Sequence, residues 1–300
     1  MARYYIGIDG GGTQSRLLVA SEDMEPLLRL QGGSTNPDSN TKEAVSATLG
    51  AMFLELRNNG FLEEDCKGLC IGVAGINSAP AAKDMEELVR RMGYSRVSAV
   101  NDCLLALAAA FGSGPGAVLV CGTGSIAFGR DAQGRVRRFG GWGHIFDDHG
   151  SAYWIGKEAI RRAFCSYDGR APKTALEGAV QQAYGVDDLP LCAAKIYDED
   201  FNKADIAQLA TLVREHALNG DAESLGILKV AAAELGILAG TALDAAYPHQ
   251  SLVVSGGTIE NNEILLGLLE DELGRTHPWA RVRKIDKEPV WGAVYLAAMM

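Results

Sequence analysis

The chain has 300 residues, 47% of them hydrophobic, enough apolar material for about two ordinary domain cores. Its formal charge is −10 and its 28 basic residues are dispersed, so a nucleic-acid partner would meet general repulsion and is excluded from the expectations. The six cysteines form no CxxC pair and have no companion histidines at zinc spacing, which argues for reduced, mostly buried thiols.

No basic-then-apolar leader precedes the first expected strand. Residues 3 to 31 read as three strands: Tyr4 to Asp9, Ser15 to Val19 after a glycine turn, and Leu27 to Leu30 before Gly32-Gly33. Ser34-Thr35-Asn36-Pro37 is a loop, because the residue before proline is pushed toward extended conformations, and from it Asn36 can present its amide to a ligand. Between Thr41 and Asn58 the positions Val45, Leu49, Met52 and Leu56 recur at helical spacing, with Gly60 as a stop signal. Leu69 to Val73 is the next buried strand, and Met85, Leu88, Val89 and Met92 mark a helix closed by Gly93. Val97 to Val100 is a strand whose carboxyl end carries Asn101-Asp102, where a helix running to Phe111 begins. In open α/β sheets ligands collect at such ends.

Gly112 to Gly116 is the best internal boundary. After it the layout of the opening strands returns: Ala117 to Val120, Ile126 to Phe128 and Val136 to Phe139, which duplication of a whole domain explains better than a solenoid repeat. Residues 151 to 246 read as mostly helical. The least polar region, Ile227 to Leu243, is interrupted by Lys229 and Glu234 and is not expected to reach the apolar length of a membrane span. A soluble cytoplasmic protein with no membrane partner is the expectation. Ser251 to Thr258 returns to strand and glycine turn, Glu260 to Leu273 reads as a helix, Val282 to Ile285 as a strand, and Trp291 to Leu296 as a closing helix.

The chemistry is concentrated in the glycine turns. A short apolar strand ending in Gly122-Thr123-Gly124 exposes backbone N–H groups that can wrap an anion, and Tyr5 to Thr13 has the same design, with Gly11, Gly12 and Thr13 after Asp9. Asp9 suits a magnesium ion held through its waters, and equally an acidic hairpin turn. Asp102 suits the general base that takes the proton of an attacking hydroxyl, and equally a helix N-cap; a carboxylate at a helix start is expected to keep a low pKa. Asp147 and Asp148 lie in a Gly-bounded loop able to hold sugar hydroxyls or to act as a solvated turn before a Ser151 cap, with Asp148 the favoured ligand. Trp142 either lines that pocket or fills a core, and His144 either orders the site or makes a structural bond. Ser255-Gly256-Gly257 would let backbone approach a flat adenosine ring. Cys66 and Cys70, with Cys70 in an expected strand, do not suggest a shared metal.

Taken in order, Asp9 to Thr13, Ser34 to Asn36, Asn101-Asp102, Gly122 to Ser125, Gly140 to His144 and Asp148 to Trp154 resemble the sugar kinase, Hsp70 and actin superfamily over nearly the whole chain. More closely they resemble the N-acetylglucosamine kinase family of BadF/BadG/BcrA/BcrD-type ATPases, near its bacterial members that also phosphorylate N-acetylmuramic acid. The resemblance implies an α/β fold of two ribonuclease-H-like, actin-like ATPase domains with a cleft between them. It places the first domain at 1–113 plus 289–300, the closing helix returning to it, and the second at 114–288. It implies ATP and Mg2+ as cofactors, phosphates on Thr13 and Thr123, adenosine near Gly256 and Gly257, and a ligand set for the sugar of Asn36, Ser125, Gly141, Trp142 and Asp148. Asp102 would be the base at the 6-hydroxyl, and a homodimer is expected because relatives are commonly dimers.

Two departures touch the sugar pocket: Ile126 stands where the family often has Asn, and Asp147-Asp148-His149 where it has Gly-Asp-Glu. The Asp-Asp form is similar to a broad-specificity archaeal hexokinase. The expected activity is therefore phosphorylation of the 6-hydroxyl of N-acetylglucosamine or a related amino sugar, with N-acetylmuramic acid, glucosamine and glucose as alternatives. Outside that class stand an ATPase activator of a 2-hydroxyacyl-CoA dehydratase, whose Lys-Cys-Ala-Ala-Gly-Thr-Gly run is absent, and a sugar sensor without turnover.

Overall fold

Strands β1 (Tyr4–Gly10), β2 (Gln14–Ser21) and β3 (Pro26–Gly33) form an antiparallel meander, Tyr4, Ile6 and Ile8 of β1 being fully buried. Helix α1 (Lys42–Asn58) starts at the Thr41 side-chain cap and lays Val45, Leu49, Met52, Phe53 and Leu56 on the sheet. The chain continues through β4 (Cys66–Val73), α2 (Ala79–Arg91), β5 (Val97–Asn101) and α3 (Asp102–Phe111). A second meander, β6 (Gly116–Cys121), β7 (Ser125–Arg130) and β8 (Val136–Gly140), follows. After it come the helices α4 (Ala152–Tyr167), α5 (Leu176–Tyr184), α6 (Pro190–Ile196), α7 (Lys203–Ala207), α8 (Leu209–Leu218) and α9 (Ala222–Ala246). The chain closes with β9 (Ser251–Ser255), α10 (Gly257–Glu260), α11 (Glu263–Thr276), β10 (Arg281–Lys284) and α12 (Pro289–Ala298).

This computed structural model describes residues 3–37, 40–76, 78–198 and 202–300. They fall into two units, Met1–Gly114 with Ile285–Met300, and Pro115–Lys284. The first unit holds the sheet β3-β2-β1-β4-β5 and the second the sheet β10-β9-β6-β7-β8. In each, a three-stranded antiparallel meander is extended by two parallel strands, β4 and β5 on β1, β9 and β10 on β6. The two sheets therefore share one α/β layout, which is what the returning strand pattern in the sequence implied.

In the first unit, α1 and α2 cover one face of the sheet while α12 packs on the other, with Val290 and Val294 against Leu18 and Ala20, and Ala293 and Ala297 against Cys70 and Leu105. That packing is backbone on backbone. A Cβ on Gly7 of β1 would lie 2.6 Å from the Val294 amide, one on Gly68 would lie 2.4 Å from the Ala297 carbonyl, and one on Gly292 would lie 2.0 Å from the Leu105 carbonyl.

Several expectations change. The strand expected from Leu69 to Val73 starts earlier, at Cys66, so both thiols lie on it. The helix expected from Glu260 to Leu273 is broken: α10 ends at Glu260 and Asn262 caps α11, accepting from the Leu265 amide at 3.1 Å. The 25-residue α9 is long and apolar enough to cross a membrane by length and composition, contrary to the expectation for Ile227 to Leu243. Half of its most apolar window is buried within the protein, where Leu228, Leu235, Ala239 and Leu243 sit in the second unit's core.

Gly292→Ala is expected to destabilise by roughly 2–4 kcal/mol because the new methyl must displace the α3 backbone. Gly50→Ala in α1, where a Cβ meets nothing within 4 Å, should instead add about 0.5–1 kcal/mol. Urea unfolding of the two variants checks the contrast, and equal effects would contradict the packing.

Candidate functional site

The first unit gathers its polar groups at the carboxyl ends of β1 and β5. After β1 the chain turns through Gly11, Gly12 and Thr13, and the Gly11 amide is spent on the hairpin, donating to the Gln14 carbonyl at 3.0 Å. The Gly12 and Thr13 amides donate to no described residue, so the anion cradle expected of three residues is left with two. The loop after β3 is strapped to this turn: Ser34 donates to the Gly11 carbonyl at 3.1 Å, and buried Ser15 and Thr35 share a hydroxyl bond of 2.9 Å. Thr35 lies so close to Gly10 that a Cβ there would come within 2.2 Å of its hydroxyl. Asn36 follows, held by its amide on Ser34 and by Asn40 on its carbonyl; its amide nitrogen would lie 3.9 Å from a Cβ on Gly12.

Asp9 and Asp102 are half-buried carboxylates, near enough that the charge of one acts on the other. Burial pushes the Asp9 carboxyl up to about 6, the Asp102 charge pushes the same way, and Arg16 at 3.9 Å opposes them from an exposed position. Burial also pushes Asp102 upward, against the pull of the Cys103 groups that bond it. The expectation of a low Asp102 pKa is thus overturned, because loss of solvent outweighs the helix start. The N-cap is Asn101, whose side chain accepts from the Cys103 amide at 3.1 Å; Asp102 is the first residue of α3 and accepts from the same amide at 2.9 Å. No described lysine or arginine pairs with Asp102.

In the second unit the turn after β6 repeats the economy of the first. The Gly122 amide donates to the Gly124 carbonyl at 2.9 Å, and the Thr123 and Gly124 amides donate to no described residue. The turn is anchored to the start of α4, where the Ala152 amide reaches the Gly122 carbonyl at 3.0 Å and Ser151 caps the helix. Asp148 lies against it: its carboxylate accepts from the Ser125 amide at 3.4 Å, and a Cβ on Gly124 would approach it to 2.9 Å. Burial raises the Asp148 pKa while the Ser125 amide lowers it. The buried Ser125 hydroxyl donates to the His149 carbonyl at 2.8 Å, which leaves its lone pairs for a further donor.

The loop from Gly140 to Gly150 is conformationally demanding. Gly140, Gly141, Gly143 and Gly150 have positive φ, as does Asp148 at 57°, a value uncommon for a residue with a side chain. Two side chains hold it. Asp147 accepts from the Trp142 amide at 2.9 Å, and Arg138 donates to the Gly140 and Gly141 carbonyls while its guanidinium stacks 4.2 Å from the Trp142 ring centroid. Trp142 is 61% exposed, so it fills no core, and His144 packs edge-on against Tyr153. Ile126 supports the loop from below: a Cβ on Gly141 would come within 2.7 Å of it. Sequence reasoning missed Arg138, whose role depends on carbonyls that no motif displays.

A pocket of about 420 Å3 opens beside the same turn, lined by Gly122, Thr123, Gly257 and Thr258 on one side and by α7 and α8 on the other. Gly257 lies on it. The close approach at Gly256 is to the Cys121 carbonyl, 2.5 Å from where a Cβ would stand. The helical wall, with Gln208, Thr211 and Arg214, was not legible as part of a site.

Residues 6–297 match the model of the BadF/BadG/BcrA/BcrD ATPase family. An N-acetylmuramic acid/N-acetylglucosamine kinase of Clostridium acetobutylicum is 34% identical over 300 residues, covering 98% of each chain. An N-acetyl-D-glucosamine kinase of Dictyostelium discoideum is 29% identical, covering 98% of this chain and 97% of its own. Among solved structures, a protein provisionally named N-acetylglucosamine kinase from Chromobacterium violaceum superimposes with a TM-score of 0.77 at 27% identity, covering 99% of both chains.

The Asp9 environment generates a pH dependence. Its folded-state pKa of about 6 lies above the ordinary 3.8, so the native state holds an extra proton between those values. The stabilising contribution is full below about pH 4 and is lost as pH rises through about 6. Asp9→Asn abolishes the charge, and at pH 8 the ligand-free variant is expected to exceed the parent chain by on the order of 2 kcal/mol in urea unfolding. That gap should close as pH falls to 4; a gap of the same size at both pH values would refute the assignment.

Proposed function

Since the chain belongs to the BadF/BadG/BcrA/BcrD ATPase family, we propose that it is an ATP-dependent kinase that phosphorylates the 6-hydroxyl of an N-acetylated amino sugar. The observation that carries the reading is Asp102: a buried carboxylate at the carboxyl end of β5, raised in pKa and without a cationic partner among the described residues. Such a group is suited to accept a proton, since burial brings its basicity closer to the operating pH. It takes the proton of the sugar hydroxyl as that oxygen bonds to the γ-phosphorus; the bond from phosphorus to the bridging oxygen breaks and ADP departs.

The amides of Gly12 and Thr13 in one unit and of Thr123 and Gly124 in the other supply undonated N–H groups for phosphate oxygens. Thr13 and Thr123 add hydroxyls. Asp9 fits a magnesium ion, because a buried carboxylate beside a second one, opposed by a single exposed arginine, carries negative charge that a divalent cation would offset. Bound there, the ion would neutralise charge on the phosphates. Asn36, Ser125, Gly141, Trp142 and Asp148 hold the sugar in this reading. The strained backbone of Asp148 and the clamp of Arg138 on Gly140 and Gly141 support it, since such strain is kept where geometry serves binding. N-acetylated substrates are favoured over glucose by the names of the relatives from Clostridium acetobutylicum and Dictyostelium discoideum. A cytoplasmic homodimer belongs to the same reading.

The test is a panel of N-acetylglucosamine, N-acetylmuramic acid, glucosamine and glucose with MgATP. At least one N-acetylated sugar should exceed glucose in kcat/KM by about tenfold or more; equal turnover of all four would overturn the acetyl specificity. Asp102→Asn should lower kcat by roughly 100- to 10,000-fold while calorimetry still detects sugar binding. Undiminished turnover would remove Asp102 from the chemistry.

A further inference from the structure

One arginine of the first unit lacks the close partner that its neighbours have. Arg29, Arg57, Arg90 and Arg91 each sit in a tight ion pair with a glutamate. The Arg16 guanidinium donates no hydrogen bond to a described residue, and its ionic contact among them is a loose one, Nη1 to Asp9 Oδ2 at 3.9 Å. Its side chain is 44% exposed against 18% for Asp9, so its donors are left to solvent. An arginine carries five N–H donors in a fixed plane, and here the protein engages none of them closely.

The strand ladder fixes where that side chain stands. Arg16 on β2 lies directly opposite Asp9 on β1, and directly opposed residues of an antiparallel pair share a face. The neighbouring pair, Ile8 and Leu17, is buried under α1 and α2, so Asp9 and Arg16 lie on the other face of the sheet. Arg16 follows Thr13 by three residues, roughly 10 Å of strand, on the hairpin whose turn leaves the Gly12 and Thr13 amides undonated. Among the groups whose charge bears most on Asp9, Arg16 is the cation, while Asp102 and Glu288 are anions. Carboxylates, undonated amides and a loosely held guanidinium are thus gathered at one end of one sheet.

We propose that Arg16 is a further catalytic residue, which leaves Asp9 and donates to the oxygens of the phosphoryl group in transfer. This rests on the kinase reading above, which puts the sugar hydroxyl at Asp102. In that transfer the sugar oxygen bonds to the γ-phosphorus as its proton passes to Asp102, and the bond to the bridging oxygen breaks, its electron pair leaving on ADP. Charge spreads over three phosphoryl oxygens at that moment, next to carboxylates of the same sign. A planar guanidinium meets two such oxygens at once, which a single point charge does not. The weak hold of Asp9 on Arg16 makes the exchange of partners inexpensive, since a partly exposed pair at that separation contributes little.

Steady-state kinetics of the full chain with MgATP, on whichever sugar of the panel it turns over fastest, test the assignment. Arg16→Ala should lower kcat by about 100- to 1,000-fold and leave the KM of sugar and of MgATP within about twofold. Guanidinium ion added to the assay should restore part of the lost kcat, which a purely structural role would not allow. Calorimetry should find MgADP, which lacks the transferred group, bound by the variant within about twofold of the parent chain. Arg16→Met keeps the aliphatic stem and serves in the same assays if the alanine variant does not fold. Undiminished kcat, a loss confined to the KM of MgATP, a parallel loss of MgADP affinity, or a loss that guanidinium leaves untouched would each overturn the proposal and leave the kinase reading intact. If the parent chain phosphorylated none of the four sugars, the kinase reading itself would fall and the proposal with it.

Discussion

Helix α12 can reach the sheet of its unit only because three side chains are missing. Gly7 on β1, Gly68 on β4 and Gly292 on the helix let backbone meet backbone, and any methyl there would overlap an amide or a carbonyl. The contact does more than close a core. Gly292 seats on the Leu105 carbonyl of α3, and α3 begins at Asp102, while Gly7 lies two residues before Asp9 on β1. One packed helix therefore bears on the elements that carry both carboxylates.

Burying two carboxylates near one another costs stability, and a fold selected for stability alone would replace one of them. The second unit shows a related opposition in backbone rather than charge. Positive φ is concentrated between Gly140 and Gly150, including Asp148, and the loop is kept in that form by Arg138 on two carbonyls and Asp147 on the Trp142 amide. Arg138 lies on β8, so the loop inherits the rigidity of the sheet. A lysine there would keep the charge but lose the planar fork and the stacking on Trp142. Both units thus hold polar groups in arrangements that solvent and backbone preference oppose, which is the condition for a site organised before its ligands arrive.

Much of this was legible in the sequence because it is local. Period and punctuation located the strands, the glycine turns and the helices of the first unit, and the twice-used meander announced the shared layout. What stayed hidden was non-local or energetic. Asp102 read equally as a cap and as a base; only the structure shows Asn101 taking the cap, and burial reversing the expected pKa shift. The break at Asn261-Asn262 was lost inside an apolar helical pattern, although two consecutive asparagines are a start signal when the second can cap. The Cys121 carbonyl, a neighbour distant in sequence, lies on the side of Gly256 where a Cβ would stand, a contact the sequence does not display. The helical wall of the pocket lay in a stretch whose alanines carry no motif, and its polar face appears only when α8 is set beside α10.

The two glycine turns show how one layout diverges. In each the first glycine amide is consumed within the turn, by Gln14 in one case and Gly124 in the other, and the next two amides remain. The turns therefore offer equal donor sets to an anion, and what separates their roles is what the neighbouring strands bring. Beside the first, β1 and the start of α3 bring Asp9 and Asp102, two carboxylates of raised pKa. Beside the second, the extension of β9 and the inserted helices bring Thr258, Asn261 and Arg214, neutral or cationic groups that line a pocket. The cradle occurs twice in one repeated layout, and the helices between β8 and β9 give the second copy a wall that the first lacks, so the asymmetry of the two turns follows from an asymmetry of length.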